Sequence, residues 1–212
     1  MKNVKSPSGS LRAERAAITR RRIAQAARSL FASRGYAATT LLAIAVEAGV
    51  AVQTVYAVYG SKANILRALS TELADDPAAD AAYVEALTAQ DAAEALSHFA
   101  HSIRLRWQTG YDIVVVGADA ASADPAIRVE MDGLRARRRR GIADLARSIA
   151  RHDADLADER RTAAIIDALT LPELYANLVG AHAWTAGAYE TWLATALRRL
   201  VLETRIAIPG PD

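Results

Sequence analysis

The chain has 212 residues, of which 52% are hydrophobic and 24% charged, with a net charge of +2; that length accommodates one large domain or two small ones, each with a real core. Cysteine is absent, which excludes disulfides, thiolate metal sites and a cysteine nucleophile. No apolar signal region opens the sequence and no uninterrupted apolar run approaches the ~20 residues that span a bilayer, so a cytoplasmic protein with no membrane partner is expected.

Residues 1–13 are rich in Lys, Ser, Gly and Pro and predict a disordered basic tail, which is either a loose terminus or an arm that touches phosphates. A first helix follows over Glu14–Arg34, with Ile23, Ala26, Ala27, Leu30 and Phe31 on one face, Gly35 closing it and Tyr36 as the apolar contact beyond. From Thr39 to Lys62 the sequence TTLLAIAVEAGVAVQTVYAVYGSK reads as two short helices joined by a tight glycine turn. Thr39 and Thr40 have hydroxyls suited to an N-cap, Leu41, Ile44, Ala45 and Ala48 recur at helical spacing, and Gly49 stands where a left-handed residue is wanted. Val50 anchors the turn, and the second helix carries Gln53, Thr54 and Tyr56. This is the grammar of a helix-turn-helix, whose second helix enters the major groove of DNA. Ser61 then caps a fourth helix striped with Ile65, Leu66, Leu69 and Leu73, which ends near Asp75-Asp76-Pro77.

The coincidence of Thr39-Thr40, Ile44-Ala45, Ala48-Gly49-Val50, Thr54-Val55-Tyr56, Tyr59, Ser61-Lys62 and Ile65-Leu66 in one register resembles the N-terminal signature of the TetR (tetracycline-repressor-like) regulators. The resemblance runs from about Arg21 to Leu69; beyond it, the chain is similar to that family only in being helical. It implies DNA contacts at Thr40, Leu42, Val52, Gln53, Thr54, Tyr56, Tyr59 and Lys62, with Thr40 and Tyr56 at positions that usually hold phosphates. Some residues depart from the pattern. Ala51 replaces the usual hydroxyl cap of the recognition helix, a change worth roughly 1 kcal/mol of helix-end stability. Leu42, Ala43, Val52 and Val58 are apolar where charged, polar or aromatic readers are common, so contacts to thymine methyls gain weight and the operator sequence stays open.

The remainder reads as helices. Asp80–Leu87 is a short piece, and a long pattern from Asp91 to about Ala121 aligns Leu96, Phe99, Ile103, Trp107 and Val114, with Gly110 and Gly117 loosening it locally. Asp112 to Gly117 resembles a buried strand, but no phosphate-binding glycine motif follows and its flanks are helical, so no nucleotide cofactor is expected. Asp124-Pro125 starts the next helix, with Pro at its first position and a seam of Ile127, Met131, Leu134, Ile142, Leu145 and Ile149. Arg138 falls inside that seam, while Arg135, Arg137, Arg139 and Arg140 spread around the solvated side. A guanidinium there either pairs within the protein or receives an anionic effector.

Arg161–Leu178 carries Ile165, Ile166, Leu169, Leu174 and Leu178 and should break near Thr170, ahead of Pro172. Thr185 caps a last helix in which Tyr189, Trp192, Leu193, Ala196, Leu197, Leu200 and Val201 follow helical spacing. In the family that the chain resembles, the last two helices of each subunit form a four-helix dimer interface. The resemblance therefore implies a homodimer through Ile165, Leu169, Tyr189, Trp192, Leu193, Ala196, Leu197 and Leu200, although an intramolecular core would use the same stripe. Phe99, Ile103, Trp107, Tyr111, Met131, Arg138 and Tyr175 are the candidate effector-binding residues, a mixture suited to an apolar small molecule; each aromatic is equally a core side chain.

His98 and His101 share a helix side, but no third ligand stands at a recognisable spacing, so no metal site is expected. No nucleophile elbow, Walker A or H-E-x-x-H occurs, and the chain is not expected to be an enzyme. Residues 1–73 hold 11 Lys and Arg against 3 Asp and Glu, whereas residues 74–212 hold 15 against 21. A basic front on an acidic body suits a DNA-binding head on a ligand-binding body. The expectation is an all-α protein with a helix-turn-helix head over 14–76 and a helical effector-binding and dimerisation body over 77–212. It would act as a homodimeric repressor on a double-stranded DNA operator, released by a small molecule. The alternative is a helical interaction or ligand-binding protein that has lost sequence-specific DNA binding.

Overall fold

Helix propagation is cheap once a packed segment has nucleated it, and the first helix uses this fully: α1 runs Pro7–Arg34 rather than from Glu14. The computed structural model describes residues 7–152 and 158–203, with side chains from Leu11 onward. Of the expected disordered tail, residues 7–13 are therefore helical, with Pro7 at the first position that tolerates it, and residues 1–6 lie outside the described part. Residues 11–18 are exposed; the helix is anchored further along by Ile23, Ala27, Leu30 and Phe31, all buried. Gly35 ends it at φ +80°, and the Tyr36 ring packs 5.3 Å from that of Phe31.

Three short helices complete the head: α2 (Leu41–Ala48), α3 (Val52–Tyr59) and α4 (Lys62–Ala74). Their inward residues Ile44, Ala45, Ala48, Val55, Ile65, Leu66 and Leu69 are buried. The body continues with α5 (Pro77–Thr88), α6 (Ala92–Ala123), α7 (Pro125–Ala150) and α8 (Glu159–Leu169). After the break that Pro172 imposes come α9 (Pro172–Tyr175), continued by a π-helical stretch Ala176–Ala181, and α10 (Ala186–Arg198), continued by a second one, Arg199–Glu203. No strand occurs among the described residues. Carboxylate and hydroxyl caps sit at the expected starts. Asp76 accepts from the backbone N–H groups of Ala78 and Ala79, Asp124 from Ala126, Asp158 from Arg161 and Thr185 from Ala188. Gly110 leaves helical geometry inside α6 at φ −161°, and a Cβ there would meet Leu73 Cδ1 at 2.8 Å, so close approach is what demands glycine.

The chain divides into two compact units, but not at Asp76: one comprises residues 1–71 and 116–129, the other 72–115 and 130–212. The segment around the α6–α7 turn thus counts with the head, a long-range assignment that local sequence patterns do not carry. In the second unit a continuous core gathers Leu96, Phe99, Ile103, Trp107, Ile142, Leu145, Ile149, Ile166, Tyr175, Tyr189, Leu193 and Leu197.

Candidate nucleic-acid interface

The α2–α3 pair is bent by 107°, within the range of a helix-turn-helix. Its turn is held by backbone chemistry: Gly49 is left-handed (φ 62°, ψ 42°), and the N–H groups of Gly49 and Val50 donate to Val46 O and Ala45 O at 3.1 and 3.0 Å. Arg22 adds a guanidinium bond to Ala48 O at 2.7 Å, which places a cation on the negative end of α2. Thr40 is the working cap, its hydroxyl accepting from Ala43 N–H at 3.1 Å. Thr39 is buried and donates instead to Gly35 O at 2.8 Å, closing the end of α1. At α3 no side chain caps the start, as Ala51 foretells.

Val55 and Tyr59 face the head's core, so the opposite face of α3 is free. Gln53 and Tyr56 are exposed there, Tyr56 at 55%, while Val52 and Thr54 are half-buried. On α2, Leu42 is 62% and Val46 74% exposed. Val46 was missed in the sequence, although it stands one turn after Leu42, opposite the buried Ile44–Ala48 face. The free surface is therefore an apolar trio, Leu42, Val46 and Tyr56, with Gln53 as its amide.

Two of the expected contact residues are engaged within the head. Tyr59 is buried, and its hydroxyl donates to Arg20 O at 3.1 Å beneath the Arg20 guanidinium, which lies 4.8 Å from the ring centre. Lys62 Nζ donates to Tyr36 O at 2.5 Å and Thr39 O at 2.8 Å, and lies 4.2 Å from the centre of the Tyr36 ring. Burial lowers the Lys62 pKa, with Asp124 opposing that shift. Burial pushes the Tyr36 phenol up to about 12, and the Asp124 carboxylate adds to the rise. Lys62 is thus a clamp on the α1–α2 connection, because carbonyls left by that turn need a donor.

In the body unit Phe99, Ile103, Trp107 and Tyr175 are buried in one core with Tyr111 packed against it; Met131 is buried outside that cluster. Arg138 is paired internally: its guanidinium bonds the Asp167 carboxylate, Asp167 O at 2.7 Å and Thr170 Oγ1 at 2.9 Å. The free anion receptor considered for it is corrected by that pairing. The expected dimer stripe also splits. Tyr189, Leu193 and Leu197 are 0% exposed in the single chain and belong to its own core, whereas Ile165, Leu169, Trp192, Ala196 and Leu200 remain half-exposed. Trp184, not singled out before, meets Trp192 edge-on at 6.1 Å. His98 and His101 take carboxylate partners, Glu85 at 3.2 Å and Glu190 at 2.9 Å, and no cluster fit for a metal occurs among the described residues.

Residues 23–69 match the sequence profile of bacterial regulatory proteins of the tetR family. No curated protein matches the chain. Among solved structures, the fatty acid degradation regulator FadR from Bacillus halodurans is similar at 16% identity and a TM-score of 0.70, covering 96% of this chain and 99% of that one. The TetR family transcriptional regulator PfmR from Thermus thermophilus is similar at 22% identity and a TM-score of 0.64, covering 88% and 97%. A putative transcriptional regulator from Saccharomonospora viridis, solved in complex with choline, is similar at 23% and 0.67, covering 87% and 98%. The chain thus resembles the tetR family in sequence over its head and in fold over nearly all its length.

Proposed function

We propose that the chain is a ligand-responsive transcriptional regulator, a homodimeric repressor that inserts α3 into the major groove of a near-palindromic operator and is released by a small molecule. The observation that carries the reading is the α2–α3 pair, bent by 107° and matched to the tetR profile, on a head with 11 basic against 3 acidic residues. Gln53 is the base reader, since an amide pairs bidentately with adenine, and Leu42, Val46 and Tyr56 supply apolar contact to thymine methyls. Arg and Lys of the head neutralise phosphates. The half-exposed Ile165, Leu169, Trp192, Ala196 and Leu200 form the partner-facing edge of the last helices. Effector and operator need only favour different arrangements of the dimer for each to weaken the other by the same factor.

The exposed apolar trio favours a second reading, a head that docks a protein. Fluorescence anisotropy on random and selected duplexes separates the two. A DNA-binding head loses affinity steeply as salt rises, and Gln53→Ala changes its sequence preference. A head that fails to bind duplex at low salt, or whose binding ignores salt, belongs to the second reading.

A further inference from the structure

Buried hydrogen-bonding groups nearly always find partners, and two in the body unit do not: Arg138 Nε and the Tyr189 hydroxyl. They belong to one cluster. Tyr189 stacks edge-on with Tyr175 at 4.9 Å, and Tyr175 lies 5.4 Å from Tyr111, so three rings stand in a row. Thr170 closes the other side, accepting the Trp107 indole N–H at its carbonyl (3.2 Å) and the Arg138 guanidinium at its hydroxyl (2.9 Å). The Tyr189 phenol is pushed well above its ordinary range by burial and then by Tyr175, while Arg138 pulls the other way, so hydroxyl and guanidinium sense one another.

The charge balance selects the ligand. Arg138 already meets the Asp167 carboxylate and carbonyl, so its positive charge is spent. A second carboxylate brought into this cluster would be buried without a counter-charge, which low-dielectric surroundings penalise heavily. Two spare donors remain, and they ask for an uncharged oxygen.

Resting on the reading of the chain as an effector-responsive regulator, we propose that the body binds an uncharged, mainly aromatic molecule. One carbonyl-type oxygen of that molecule accepts hydrogen bonds from Arg138 Nε and the Tyr189 hydroxyl, and its rings pack against Trp107, Tyr111 and Tyr175.

Three compounds of matched shape test this: acetylnaphthalene, ethylnaphthalene and naphthoate, substituted at one ring position and titrated calorimetrically into the full chain. The acetyl compound should bind about five- to tenfold more tightly than the ethyl one, as a neutral hydrogen bond allows, and naphthoate should bind weakest. Tyr189→Phe should bring the acetyl compound close to the ethyl one, leave the ethyl affinity unchanged and not lower the melting temperature of the free protein. Naphthoate binding tightest, no binding of any of the three, or a melting temperature that falls in Tyr189→Phe would each overturn the proposal. Duplex-DNA binding measured on the same preparation keeps the two readings apart. DNA bound with no response to these compounds sinks the ligand class alone, whereas no DNA binding sinks the regulator reading and leaves the affinities to judge the site.

Discussion

Lys62 illustrates how a residue's role is decided by partners far away in sequence. The resemblance assigns it to phosphates, yet its ammonium sits on Tyr36 O and Thr39 O, 26 and 23 residues upstream. Lys62→Met should cost the head about 1–3 kcal/mol through orphaned carbonyls, read as a lower melting temperature, with DNA affinity falling only as far as the fold does. A loss of salt dependence at unchanged stability would return Lys62 to the phosphates. The tyrosines give a pH dependence. Tyr36 and Tyr83 are pushed up to about 12, chiefly by burial, and Tyr175 and Tyr189 move the same way. A phenol whose folded pKa exceeds its unfolded value, near 10, binds its proton more tightly when folded. Stability is therefore full below about pH 10 and is lost as pH rises toward 12. Lys62, shifted downward, works in the opposite sense but is one group against four. Melting curves from pH 8 to 11.5 should fall steeply above about 10, with delayed tyrosinate absorbance; a flat profile would contradict the burial.

At the level of elements, the helix starts were legible because caps are local: Thr40, Asp76, Asp124, Asp158 and Thr185 all precede the helices that they cap. The missing cap at Ala51 was legible too. Ala51→Ser should raise stability by roughly 1 kcal/mol, measured by denaturant unfolding, and no change would mean that the turn cannot present the hydroxyl to Thr54. Helical periodicity could not decide which side of α10 turns inward, because Tyr189, Leu193, Leu197 and Trp192, Ala196, Leu200 are both apolar rows. Packing decides it: the first row is fully buried within one chain. Charge placed at Leu193 or Leu197 should therefore unfold the body. Trp192→Glu with Leu200→Glu should leave it folded by circular dichroism yet monomeric by sedimentation at micromolar concentration; a folded dimer would move the interface elsewhere. Also illegible was the 116–129 segment's membership in the head's unit, since nothing local in Asp124 announces that it raises the Tyr36 pKa.

For the whole molecule, the basic head and acidic body, 11 basic to 3 acidic residues before position 74 and 15 to 21 after it, concentrate attraction for a polyanion at one end of the chain. A two-fold dimer converts that head into a pair of recognition helices, which requires half-sites separated by one turn of the duplex, roughly 34–36 Å, or a multiple. The most direct measurement is selection of bound sequences from random duplex DNA by the full chain, followed by salt titration of the winners. A regulator built this way should recover an inverted repeat, bind it with an affinity that falls steeply with salt, and shift the recovered bases in Gln53→Ala. A folded dimer that enriches no sequence and binds duplex DNA no better at low salt than at high would contradict it.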